Sequence, residues 1–163
     1  MKIAIFAGSF CPTTVGHVDA IRRAASLCDK LYVMVGVNIS KKYFLPDEVR
    51  LKSVEAATAD LPNVECRLYD GLTVDFAKEV GAQAMIKVVR NLSETEEVLS
   101  LADINRDMWQ GETIFIVANP LLRHVSSSLV RELATFDKDC SAYVPQQAFA
   151  LVEPFLKQLA IKK

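Results

Sequence analysis

Cysteine is sparse and scattered in this chain: Cys11, Cys28, Cys66 and Cys140 form no C-x-x-C pair. That spacing argues against a zinc site and a disulfide framework, and it suits a reducing cytoplasm. No apolar run reaches the roughly 18 residues that a membrane span requires. The first residues carry one lysine and a short apolar run with no small-residue cleavage pattern after it, which predicts no signal peptide. Neither sign of charge is in excess, since 19 basic and 20 acidic residues leave a net −1. General nucleic-acid binding therefore has no basic field to rest on. Internal repeats, low-complexity segments and linkers are absent. So are the two common phosphate-loop signatures, G-x-x-x-x-G-K-S/T and G-x-G-x-x-G.

What is present is enough for one domain over residues 1–163, with 51% hydrophobic residues to fill its core. Strand-like runs fall at 2–7, 31–37, 63–68, 84–89 and 113–118. Several are apolar at consecutive positions, as in Leu-Tyr-Val-Met-Val-Gly-Val at 31–37. Parallel strands covered on both faces read this way. Helical patterns lie between them. Val18, Ile21, Ala25 and Cys28 recur at steps of three and four, and 47–59 starts at Asp47 with Leu51, Val54 and Ala57 on one face. Ser93 with Glu96 reads as a capping box before Val98, Leu101, Ile104 and Met108. Ser126 or Ser127 caps a helix through Leu133, and a last helix occupies about 146–161. Gly71, Gly81 and Gly111 read as turn punctuation. The alternation predicts a doubly wound, Rossmann-like α/β fold: a five-stranded parallel sheet with helices on both faces. Ligands of such sheets bind outside the carboxyl ends of the strands.

The loops at those ends carry the candidate residues. Gly8-Ser9-Phe10-Cys11-Pro12-Thr13-Thr14-Val15-Gly16-His17 joins the first strand to the first helix. Small polar groups, backbone N–H groups and a positive helix end meet there, which suits phosphate, and His17 adds a titratable donor. Alone, such a histidine is better read as a cap or a packed side chain. The later loops change that. Lys41 and Lys42 follow the second strand; a lysine there can reach a phosphate, although a solvated Lys-Lys turn is common. Lys87-Val88-Val89-Arg90 ends the fourth strand, where Lys87 is expensive to bury unpartnered and Arg90 offers a planar fork. Both are equally open to ion pairing with Glu94, Glu96 or Glu97. Ser126-Ser127-Ser128 after the fifth strand offers hydroxyls and helix-start N–H groups to a phosphate, or is an N-cap with surplus serines.

Taken together, these segments resemble the phosphopantetheine adenylyltransferases, within the nucleotidyltransferases that carry a T/H-x-G-H motif. Thr14-Val15-Gly16-His17 matches that motif, and Gly8-Ser9-Phe10-Cys11-Pro12 matches the preceding G-S/T-F-D-P. Ser40-Lys41-Lys42, Asp70-Gly71-Leu72, Asn105-Arg106 and Ser126-Ser127-Ser128-Leu129-Val130 match in place, so the resemblance runs to about Val144-Pro145.

The resemblance implies transfer of AMP from ATP to 4′-phosphopantetheine, giving dephospho-coenzyme A and pyrophosphate. It implies catalytic roles for His17, Lys41 and Ser9. ATP would meet Ser9, Phe10, His17, Val88, Val89, Arg90, Val98, Leu122, Arg123, His124, Val125, Ser126, Ser127 and Ser128. The pantetheine phosphate and arm would meet Ser9, Lys41, Thr73 and Lys87. It further implies Mg2+ carried on the ATP phosphates with no metal site built by the protein, a cytoplasmic homo-hexamer, and feedback by coenzyme A. Three positions depart from the family pattern: Cys11 replaces a carboxylate, R-G-L-R becomes Lys87-Val88-Val89-Arg90, and Val98 stands where a glutamate is expected. Two other readings stand beside this one. One keeps the chemistry but transfers an adenylyl or cytidylyl group to another phosphate acceptor. The other is a nucleotide-binding module without catalysis.

Overall fold

The structure, a computed structural model, describes residues 1–38 and 40–160, apart from the side chains of 92–95, 97 and 98. Five parallel strands form one sheet: β1 (Ile3–Gly8), β2 (Lys30–Val37), β3 (Val64–Asp70), β4 (Ala84–Val89) and β5 (Glu112–Val117), in the order β3-β2-β1-β4-β5. The chain winds outward from β1 to β3, then returns to the other side of β1. The strand order therefore reverses between β1 and β4, and the loops leaving those two strands border the crevice where doubly wound sheets bind ligands.

The described residues form six α-helices: α1 (Val15–Ala25), α2 (Asp47–Ala57), α3 (Thr73–Glu79), α4 (Leu92–Met108), α5 (Ser127–Thr135) and α6 (Gln146–Leu159). Ala20, Ile21 and Ala24 of α1 and Val54 of α2 pack on Ala4, Phe6, Val33 and Ile86 of one sheet face. Val74, Phe76 and Ala77 of α3, with Trp109, pack on Ile5, Met34 and Met85 of the other. A third cluster joins Val130 of α5 and Val152 and Leu156 of α6 to Cys11 and Leu45. Consecutive strand residues thus reach opposite cores, which is why the strands are apolar without alternation.

The structure departs from the expectations at two helices. α3 has no counterpart in the sequence reading, because its cap position is Leu72, which makes no side-chain cap, and it runs only seven residues. Gly81, at φ 65, is the left-handed residue just past that helix, in a turn as expected. α4 begins at Leu92, so Ser93 sits inside the helix and not at its cap, and the side chains of Ser93 and Val98 lie outside the described residues. α6 ends at Leu159, with residue 161 of its expected range also outside them.

Candidate active site

His17 is the third residue of α1, and its side chain closes that helix. Thr14 is the N-cap: its Oγ1 accepts the His17 backbone N–H at 3.3 Å, while the Thr14 N–H donates to His17 Nδ1 at 3.1 Å. This is a capping box with histidine in the place usually taken by Glu or Gln. It also sets the ring chemistry. An Nδ1 that accepts an N–H carries no proton, so the neutral ring holds its proton on Nε2 as a donor. Burial, with a smaller contribution from the Arg90 charge, pushes the His17 pKa down to about 4. The imidazole is neutral at pH 7 and donates without giving up a charge.

The loop before it is gripped from behind by its carbonyls. Arg50 Nη1 donates to the Ser9 carbonyl at 2.7 Å, Arg131 Nη1 to that of Cys11 at 2.7 Å, and Ser127 Oγ to that of Pro12 at 2.8 Å. Phe10 takes the left-handed backbone at φ 48, costly for a bulky residue, and is held there at 1% exposure. Its ring sits edge-on to His17, with centroids 5.1 Å apart. The Phe10 ring backs the histidine and lines neither cavity. Gly8 has the same origin: a Cβ there would stand 3.0 Å from the Phe10 ring. Cys11 is buried in the cluster of Leu45, Val130 and Cys140, a packed apolar residue where the family pattern places a carboxylate.

Two cavities open at the carboxyl edge. A cleft of about 320 Å³ lies between the ends of β1 and β4, lined by Gly8, Thr14, Gly16, His17, Lys87, Val88, Arg90 and Val125 to Ser128, among others. A second, of about 420 Å³, is lined by Ser9, Cys11, Lys41, Lys42, Tyr43, Phe44, Ser127 and Arg131. Ser127 is common to both. Among the described residues their linings carry five cationic side chains and no carboxylate, on a chain whose net charge is −1. Such concentration of one sign favours a polyanionic ligand. Lys87 follows Met85 by two residues on β4 and so shares the α3 face of the sheet, as does Thr73 at the start of α3. No described carboxylate lies within ion-pairing distance of Lys87, and burial lowers its pKa.

The serines divide their work. Ser126 is the N-cap of α5, accepting the Leu129 N–H at 3.0 Å; Ser127 holds Pro12; Ser128 Oγ accepts from Arg131 at 3.0 Å. The structure brings Ser9, His17, Lys41, Lys87, Val88, Arg90, Val125 and the three serines to these cavities. It does not bring Thr73, Val89, Leu122, Arg123 or His124 to their walls. His124 instead lies edge-on to Tyr143, and the Val89 carbonyl accepts the Ala118 N–H. Arg131 and Arg50 were not legible as site residues, because an arginine in a helical pattern reads as a solvated position. The signal that existed was spacing: Arg50 stands one position from Leu51 and four from Val54, at the border of the apolar face of α2.

Residues 5–133 match the family model described as cytidylyltransferase-like. A phosphopantetheine adenylyltransferase of Caldanaerobacter subterraneus subsp. tengcongensis is 42% identical over 159 residues, covering 96% of this chain and 99% of the relative. One of Levilactobacillus brevis is 43% identical over 146 residues, covering 89% and 91%. This chain belongs to the phosphopantetheine adenylyltransferase family. Among solved structures, a chain from Vibrio parahaemolyticus named as a nicotinate-nucleotide adenylyltransferase superposes with a TM-score of 0.71 over 98% of this chain and 99% of that one. At 20% identity that likeness speaks for the fold alone. It agrees with the five-stranded order found here, and a family of nucleotidyltransferases agrees with cavities walled by cations. No described helix is long and apolar enough to cross a membrane.

Proposed function

We infer that the chain is a nucleotidyltransferase that moves AMP from ATP to 4′-phosphopantetheine, giving dephospho-coenzyme A and pyrophosphate. The observation that carries the chemistry is the pairing of a neutral Nε2–H donor on His17 with five cations around two cavities that meet at Ser127. The acceptor phosphate oxygen bonds to the α-phosphorus of ATP, and the bond from that phosphorus to the bridging oxygen of the β-phosphate breaks. No base is required, since a phosphate monoester with a second pKa of about 6 is already an anion at neutral pH. The difficulty is the meeting of two anions, so catalysis is positioning plus fixed donors. His17 donates to the α-phosphate, Arg90 and the α5 serines hold the nucleotide, and Lys41 screens the reacting phosphates. Ser9 orients the acceptor, with Lys87 on its phosphate.

Magnesium fits this site as a companion of the nucleotide. Among the described residues, neither cavity lining holds a carboxylate and no group of three or more His, Cys, Asp or Glu is arranged for a metal. Mg2+ in this reading arrives as the ATP complex, held by phosphates and water. The reading extends to a cytoplasmic homo-hexamer with coenzyme A as feedback ligand. Exposed Leu101, Ile104 and Met108 on α4 offer apolar surface for self-association, and sedimentation with and without coenzyme A tests both.

The deciding experiment mixes purified protein, Mg–ATP and 4′-phosphopantetheine, and follows dephospho-coenzyme A by mass and pyrophosphate by a coupled assay. Product from this acceptor is expected. Val88 on the cleft wall, in place of a glycine, is the observation that favours testing others. Turnover only with nicotinate mononucleotide, or only with CTP, would move the reading to that substrate. ATP binding by calorimetry without any product would reduce the chain to a binding module.

A further inference from the structure

We infer that Arg50 is a positioning residue for this transfer, a clamp that sets the Ser9 loop and the Lys41 loop against each other. Its side chain is 0% exposed and lines neither cavity, so it acts through the residues it holds. Nη1 donates to two carbonyls at once, Ser9 at 2.7 Å and Gly36 at 2.9 Å. Nη2 bonds Asp47 Oδ1 at 2.6 Å, and the guanidinium plane lies 3.9 Å from the centre of the Tyr43 ring. Gly36 comes just before the loop that bears Lys41, and Tyr43 comes just after its two lysines. One side chain therefore grips the second loop at both ends and the first loop at Ser9. A neighbouring residue of the same helix adds a further hold, with Ser53 Oγ and Thr13 Oγ1 2.7 Å apart.

Stability alone does not account for this arrangement. The pair is buried on the arginine side only, Asp47 being 41% exposed, and such a pair is a weak source of stability. Arg50 also has its Nε buried with no hydrogen-bond partner among the described residues, a cost that calls for an explanation. The explanation offered by the contacts is geometric: only a planar fork can bond two carbonyls and a carboxylate while stacking on a ring. Lysine keeps the charge but loses the geometry.

The kinetic part of the test rests on the adenylyl-transfer reading above; an exchange measurement does not. Arg50→Lys is expected to lower kcat by about tenfold or more, as displaced reacting groups do, with the KM for ATP changed less than about threefold. Amide exchange should quicken together in residues 9–11 and 40–43, and stay unchanged in β4 and α5. A folded Arg50→Lys enzyme with kcat within about threefold of wild type, or with only one loop loosened, would overturn the clamp. Should that variant not fold, Asp47→Ala decides: a loss of about threefold or more in kcat with both loops loosened supports the proposal, and anything less refutes it. If the wild-type protein makes no product, the exchange arm still reads the clamp.

Discussion

The loops after β1 and β2 each bring a key group to the site, and they are built in opposite ways. The first is sealed: Phe10, Cys11, Thr13 and Thr14 are buried, three of its carbonyls are taken by side chains from α2 and α5, and His17 is locked by its own helix cap. The second is open. Lys41 and Lys42 are exposed, and the turn between is tied locally, by Asn38 Oδ1 to the Ser40 N–H at 2.9 Å and the Asn38 carbonyl to the Lys41 N–H at 2.9 Å. One loop offers a neutral donor already in position. The other offers a charge on a long side chain that the ligand must order. Preorganised donors act on charge that develops in the transition state, whereas a freely rotating ammonium loses rotamer entropy on engagement.

The largest expected effect breaks the first loop. Replacing His17 with Ala also removes the acceptor that caps Thr14, so stability and catalysis would fall together. His17→Gln separates them, since Gln is a natural partner at that position of a capping box. With the cap kept, kcat should still drop by about 10²–10³-fold, the range for loss of an oxyanion donor, while Tm stays near wild type. Stopped-flow or steady-state rates with circular-dichroism melts read both. Near-normal turnover in the Gln variant would remove His17 from the chemistry.

Lys41 should behave differently. Lys41→Met should lower kcat/KM by roughly tenfold to a hundredfold, the worth of one charge-assisted bond to phosphate, with part of the loss in KM. Lys41→Arg should recover much of it, because an exposed loop tolerates a longer cation. If Lys41→Met instead reproduced the pure kcat loss expected for His17, the contrast between a fixed and an ordered group would collapse.

The same contrast explains what the sequence revealed. All five strands were legible within two residues because consecutive apolar positions mark a sheet buried on both faces. Ser9, His17, Lys41, Lys87 and Arg90 were legible because they sit on loops and strand ends in a recognisable family pattern. The bracing layer was not. Arg50 and Arg131 look like solvent-facing helix residues until folding brings carbonyls to them, and nothing in the motif says that the Phe10 ring stands behind His17. Short α3 escaped for a local reason, as it lacks a side-chain cap. Residues on the cavity walls are recorded in motif; residues that hold those in place are recorded only in long-range contacts.

The smallest expected effect concerns pH, and it isolates the sealed loop from the chemistry. His17 has a folded pKa of about 4 against 6.5 in an unfolded chain. Between those values the unfolded state binds a proton that the folded state refuses. Its contribution to stability is therefore intact above pH 6.5 and is lost as pH falls toward 4, by at most about 3 kcal/mol at 1.36 kcal/mol per unit. His17→Gln cannot titrate, so its Tm should decline less than that of wild type between pH 6.5 and 4. Turnover should show no limb from His17 near 6.5; the acid limb expected is that of the acceptor phosphate near 6, and the Gln variant should keep it. Parallel Tm profiles for the two proteins would mean that the ring is protonated in the fold, and a protonated ring could not accept the Thr14 N–H that defines the cap.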